Sequence, residues 1–180
     1  MITDKHNILE GVQNWNNHLP LMLIAMEETM GIIVEMGMGD GSTPQLHKYC
    51  GAEGRMLMSY DNNHEWTQKF RPLDSTWHNI GYVEDWRSVE AVIPFSVVLI
   101  DHAPGEQRHK DIQRLIDRVE IFVCHDTEES QAGGYRYNHI WHLFKYRIDI
   151  KTEGACATAV SNTIDLHKYR GVEIGGYVIS

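Results

Sequence analysis

Cysteine is scarce and basic charge is in deficit. The three cysteines, Cys50, Cys124 and Cys156, are an odd number with no CxxC spacing, which argues against both a disulfide framework and a structural zinc site. They read as reduced, mostly buried thiols. Sixteen lysines and arginines stand against 25 acidic residues, giving a net charge of −9, and no basic cluster stands out along the chain. Strong attraction to nucleic acid or to an anionic membrane is therefore not expected. The longest apolar run, Leu19 to Met26 around Pro20, is too short to cross a bilayer, and the first residues lack the basic-then-apolar layout of a signal peptide. The expectation is a cytoplasmic protein with no membrane partner. No internal repeat, low-complexity tract or linker divides the chain. What is present, 42% hydrophobic and 23% charged residues over 180 positions, suits one domain spanning 1–180 with its own core, residues 1–30 forming an N-terminal helical segment.

Strand and helix patterns alternate along the sequence. An apolar helix over about Asn17 to Thr29 precedes the strand Ile32 to Glu35. A helix over Pro44 to Cys50, ended by Gly51 and Gly54, leads to the strand Arg55 to Asp61, and HEWTQKF reads as a helix. HNIGYVEDW is a third strand ending in Glu84, Asp85 and Trp86, and PFSVVLIDHAP is a fourth, ending in Asp101 and His102. The next segment places Ile112, Leu115, Ile116 and Val119 on one helical face. IFVCHDTEE is a fifth strand ending in His125 and Asp126, His139 and His142 fall on a further helix, and YRIDIKT and CATAVSNTI form a late antiparallel pair. This predicts an α/β fold: a Rossmann-like three-layer αβα sandwich whose sheet is mostly parallel with an antiparallel C-terminal edge.

The segment GIIVEMGMGDGST carries the clearest functional signal. A strand ends in the acid Glu35 and opens into Gly37, Gly39 and Gly41, after which Ser42 and Thr43 can cap a helix that Pro44 helps to start. Bare backbone N–H groups then face a nucleotide-like ligand. Counting from Gly37, the sixth position is Ser42, so the match to a dinucleotide turn is partial. Ligands of open α/β sheets bind beyond the carboxyl ends of the strands, and each of the first five strands ends in an acid or a histidine. Asp61, followed by Asn62, is spaced to accept hydrogen bonds from a ribose diol, or else it is a strand-end acid opening a turn. Glu84 or Asp85 can hold the exocyclic amine of an adenine with Trp86 beside it, or the acid caps a helix and the tryptophan is core. Gly133, Gly134, Tyr135, Tyr137 and Trp141 after the fifth strand read either as an aromatic wall over a substrate or as an ordinary packed helix.

With Glu35 two residues before the first glycine, the turn resembles motif I of the class I S-adenosylmethionine-dependent methyltransferases. VVLIDHAPGEQRHKDIQRL followed by IFVCHDTEE resembles the small macrocin and cephalosporin-hydroxylase type of that family, over about Leu19 to Leu166. The resemblance implies S-adenosylmethionine held by Glu35, Gly37, Gly39, Asp40, Gly41, Ser42, Asp61, Asn62, Glu84, Asp85 and Trp86. It also implies O-methylation of a small molecule or sugar hydroxyl. Relatives of this type, and the catechol-type enzymes, often bind a divalent metal at the fourth and fifth strand tips. Carried over, this nominates Asp101 and Asp126 for Mg²⁺ with His125 as a third group, although catechol-type enzymes have Asp-Asn where this chain has His125-Asp126. Such an ion would lower the acceptor's pKa and orient it. The metal-free alternative uses Asp101 with His102 or His125 as general base. Other readings are a non-catalytic cofactor-binding or scaffolding module and, disfavoured by Ser42, a nicotinamide-dependent oxidoreductase. With little chain beyond the sheet to close the site, a homodimer is expected.

Overall fold

In a computed structural model that describes residues 2–128 and 134–180, the strands β1 (Ile33–Met36), β2 (Leu57–Asp61), β3 (His78–Tyr82), β4 (Phe95–Ile100), β5 (Val119–His125), β6 (Tyr146–Lys151) and β7 (Cys156–Ser161) form one sheet. Its order is β3-β2-β1-β4-β5-β7-β6. The first five strands are parallel, and β7 runs antiparallel to both β5 and β6. The expected three-layer architecture with an antiparallel C-terminal edge is therefore what the chain forms. A two-stranded hairpin, β8 (Glu173–Ile174) and β9 (Tyr177–Val178), follows.

Alternation along the central strands builds two cores. Ile33, Leu57, Val97, Leu99, Ile121 and Val123 point to one face, against α1 (Leu19–Glu27) and α2 (Thr43–Glu53). Val34, Val98, Ile100, Phe122 and Cys124 point to the other, against Ile112 and Leu115 of α4 (Arg108–Leu115) and the short turns holding Tyr137 and Ile140. Strands buried on both faces need continuous apolar runs, which is why the sequence shows them so plainly. Helix α1 is apolar all round because it is wholly buried from Leu19 to Met26. It packs on the sheet. Helix α3 (His64–Phe70) closes the β2–β3 end through Phe70, Ile80 and Met38. No helix among the described residues is long and apolar enough to cross a membrane.

Several boundaries differ from the sequence reading. Helix α2 runs through Gly51, whose Cβ would lie 2.8 Å from the Trp77 ring, so glycine there serves close packing; Gly54, in the left-handed region at φ 64°, ends the helix. Strand β3 stops at Tyr82, before Glu84. Val119 opens β5 instead of extending the helical face, and Ile116 lies in a 3₁₀ turn after α4. His139 and His142 belong to two separate 3₁₀ turns, not to one helix. Gly133 lies outside the described residues.

Candidate functional site

The strand order reverses between β1 and β4, and the chemistry gathers at the carboxyl ends there. Glu35, near the end of β1, is fully buried. Its Oε1 accepts hydrogen bonds from the Ser42 hydroxyl at 2.5 Å and the Thr43 hydroxyl at 3.0 Å. Thr43 Oγ1 in turn accepts from the Gly39 N–H at 3.0 Å. These hydroxyls therefore brace the turn from below, and Ser42 makes no side-chain cap bond at the start of α2, contrary to the capping expectation. Glu35 Oε2 is buried without a hydrogen-bond partner among the described residues. Burial pushes the carboxyl up to about 7, opposed by the nearby Ser42, Ser59 and Thr43 hydroxyls.

That shift makes a stability prediction. The folded state holds a proton on Glu35 that the unfolded chain has already lost above its ordinary value of 4.5. The contribution of this residue is therefore most favourable at low pH, declines as pH rises towards 7 and levels off above it. At 1.36 kcal/mol per unit, the decline is about 3 kcal/mol. Chemical denaturation across this range should show that fall in the wild type and not in Glu35→Gln; parallel profiles would refute it.

The three glycines do different work. Gly37 sits at φ 101°, and a Cβ there would lie 2.6 Å from the Asp101 carbonyl carbon and oxygen. At Gly41 a Cβ would run into the Trp15 ring and Asn16, which the N-terminal segment lays across the turn. Gly39 has only Ser42 Oγ, 3.7 Å away. Exposed Asp40 forms an ion pair with Lys69 at 2.6 Å. Asp61 is 6% exposed and joins the β2 tip to the turn, Oδ2 accepting from Met38 N–H at 2.8 Å and Oδ1 from Asn63 N–H at 2.7 Å. Burial pushes its carboxyl up.

An open cleft of about 660 Å³ brings together Asn62, Glu84, Asp85 and Trp86 with Pro104, Gln107 and Lys110. Asp85 caps the turn Trp86–Ser88 and is gripped by Arg87, whose hydrogen bonds hold it down at about 2. Trp86 is 3% exposed, donates to Ala103 O at 2.7 Å and stacks on His102 at 4.3 Å, so it is a core residue at the cleft wall.

His102 requires a correction. Its side chain is fully buried between Trp86 and Asp111, 3.3 Å from Asp111 Oδ2. Just beyond the end of β4 the two neighbours diverge, Asp101 towards His125 and His102 towards Trp86. Asp101 and His125 share the other face. His125 Nδ1 lies 3.3 Å from Asp101 Oδ1 and 3.3 Å from Asp126 Oδ1. Burial alone would lower the His125 imidazole, but its bond to Asp101 and the charges of Asp101 and Asp126 hold it above the ordinary histidine value. Asp101 is held low: burial works against ionisation, and the His125 bond with the charges of His125 and Arg108 outweighs it.

Two residues went unread in the sequence. Arg108, 5% exposed, donates Nη2 to Asp101 Oδ1 at 3.1 Å, Nη1 to Asp126 Oδ2 at 3.3 Å and Nε to His102 O at 2.7 Å, beneath the Tyr135 ring. The cation between the two nominated carboxylates is this guanidinium, and nothing in the arrangement supports Mg²⁺ there. Arg108 precedes Ile112 by one helical turn on the buried stripe, a signal that was available. His18, 2% exposed at the start of α1, stacks edge-on against His125 with ring centroids 4.8 Å apart. Burial pushes it down to about 3, His125 adding to the effect and Asp101 opposing it. Tyr137, part of the expected aromatic wall, is instead core, its hydroxyl donating to His125 O at 3.2 Å.

No family model and no curated protein matches the sequence. Solved structures do. A Corynebacterium glutamicum protein described as a spermidine synthase aligns at TM-score 0.68 and 9% identity, over 91% of this chain and 68% of that one. A Klebsiella pneumoniae protein assigned as an O-methyltransferase aligns at 0.62 and 14%, over 87% and 90%. The N-terminal domain of human METTL16 aligns in complex with S-adenosylhomocysteine at 0.53 and 13%, over 83% and 68%. Its catalytic domain with an RNA hairpin aligns at 0.60 and 9%, over 82% and 70%. At these identities the likeness concerns architecture, and one architecture here serves more than one reaction. The strand order, the reversed β7 and the glycine turn after β1 give this chain the Rossmann-like class I methyltransferase fold.

Proposed function

We propose that the chain is an S-adenosylmethionine-dependent methyltransferase acting on a hydroxyl of a small molecule or sugar. The observation that carries this reading is the Asp61–Met38 bond, which fuses the glycine turn and the β2 tip into one cradle opening beside the Asn62–Trp86 cleft. Two side chains support the cofactor reading: Glu35 Oε2 is a buried acceptor without a partner among the described residues, suited to an ammonium group, and Asp61, tied to the glycine turn through Met38 N–H, is the carboxylate we assign to the ribose diol. The Klebsiella assignment supports oxygen as the acceptor atom, and the RNA-bound METTL16 domain keeps nucleic acid among the acceptors to be assayed.

S-Adenosylmethionine supplies an electrophilic methyl on sulfur. As the acceptor oxygen bonds to that carbon, the carbon–sulfur bond breaks onto sulfur, and the hydroxyl proton must leave. In the metal-free protein His125 takes it, and Asp101 and Asp126 stabilise the imidazolium that forms. Calorimetric titration with S-adenosylmethionine and S-adenosylhomocysteine should show one site of micromolar affinity per chain. Binding of neither, or preference for reduced nicotinamide cofactor, would refute the assignment.

A further inference from the structure

We propose that His18, Asp101 and His125 bind a single borderline divalent transition ion, of the Zn²⁺, Co²⁺ or Fe²⁺ class. The three come from different elements: the residue before α1, the tip of β4 and the end of β5. One ligand atom from each lies within 4.8 Å of the others. Both ring nitrogens of His18 and Nε2 of His125 are buried without a hydrogen-bond partner among the described residues. Leaving such groups unsatisfied is costly, and a shared ion would take up one nitrogen of each ring.

The donor set chooses the metal. Two imidazoles and one carboxylate suit borderline transition ions, whereas Mg²⁺ takes oxygen ligands and keeps its water. Arg108 and His125 engage Asp101 through Oδ1, which leaves the other oxygen for the ion. Asp126, 3.3 Å from His125 Nδ1, is placed to orient that ring. The Asp101 side chain is 26% exposed, so the site is open on that side, and three protein ligands leave positions for water or an acceptor oxygen. An ion held there would replace His125 as the group that acidifies an acceptor hydroxyl. The site stands whether or not the chain transfers a methyl group.

The test is metal binding alone. Chelator-stripped protein carrying no affinity tag is titrated with Co²⁺ by visible absorption and with Zn²⁺ and Mg²⁺ by calorimetry. The expected result is one Co²⁺ per chain with ligand-field bands, and Zn²⁺ preferred to Mg²⁺ by far more than tenfold. His18→Gln and His125→Gln should each weaken binding at least about tenfold, while Asp126→Asn, an orienting partner, should retain the bands with weaker binding. If either glutamine variant misfolds, paramagnetic shifts of the His18 and His125 ring protons in the wild-type Co²⁺ protein give the same answer. Absence of a stoichiometric site, unshifted His18 protons, or Mg²⁺ binding as tightly as Zn²⁺ would overturn the proposal. Because no cofactor is added, failure here is separate from failure of the S-adenosylmethionine titration.

Discussion

Arg108→Met should cost about 3–5 kcal/mol of folding stability, the range for breaking a buried ion pair by removing one partner. The guanidinium is 5% exposed and ties β4 to β5 through Asp101, Asp126 and the carbonyl of His102. Methionine keeps much of the apolar stem and the volume, so the loss would come from charges and acceptors left behind rather than from a cavity. Asp101 would lose one of the charges that keep its carboxyl low, and Asp126 would lose its only cationic partner among the described residues other than His125. The penalty should therefore be largest where Asp101 is ionised and should shrink as pH falls and that carboxylate takes up its proton. Urea denaturation of both proteins across the acid range measures this. A loss below about 1 kcal/mol, the level of an exposed pair, would show that solvent reaches the cluster and screens it.

The sheet was legible because its central strands are apolar on both faces; Ile33–Met36 and Phe95–Ile100 can hardly be anything else. The convergence of Asp101, His125 and Asp126 was also legible, since the ends of adjacent parallel strands must meet. What escaped was which side chains face the site. Strand alternation puts Ile100 and Cys124 against α4, so Asp101 and His125 face α1 while His102 turns into the core beside Trp86. That period was readable and separates His102 from Asp101 and His125. His18 was harder: nothing local marks it, because its partners come from the tips of β4 and β5 and meet it only when α1 docks. Gly51 misled for the opposite reason. A glycine near a helix end reads as a stop, but this one makes room for Trp77.

Gly37→Ala should be among the most damaging single-methyl changes in the chain. A non-glycine residue at φ 101° is strained, and the new Cβ would stand 2.6 Å from Asp101 backbone and 2.7 Å from the His102 nitrogen. Backbone cannot swing aside as a flexible side chain can. Strain and overpacking together amount to about 3–5 kcal/mol. Thermal unfolding should show the loss with no ligand present. The informative comparison is Gly39→Ala, two residues on: φ is not left-handed there, and the nearest atom to the new Cβ is Ser42 Oγ at 3.7 Å. The folded protein should tolerate that methyl within about 1 kcal/mol, but a cofactor lying against bare backbone should not, so S-adenosylmethionine affinity should fall with stability preserved. If Gly39→Ala binds the cofactor as the wild type does, the turn is a packing device like Gly37, and the cradle must be sought elsewhere. If it destabilises the chain as Gly37→Ala does, the division of labour among the three glycines is wrong. Only selective loss of affinity fits a turn whose first glycine lets β1 and β4 meet and whose second faces a ligand.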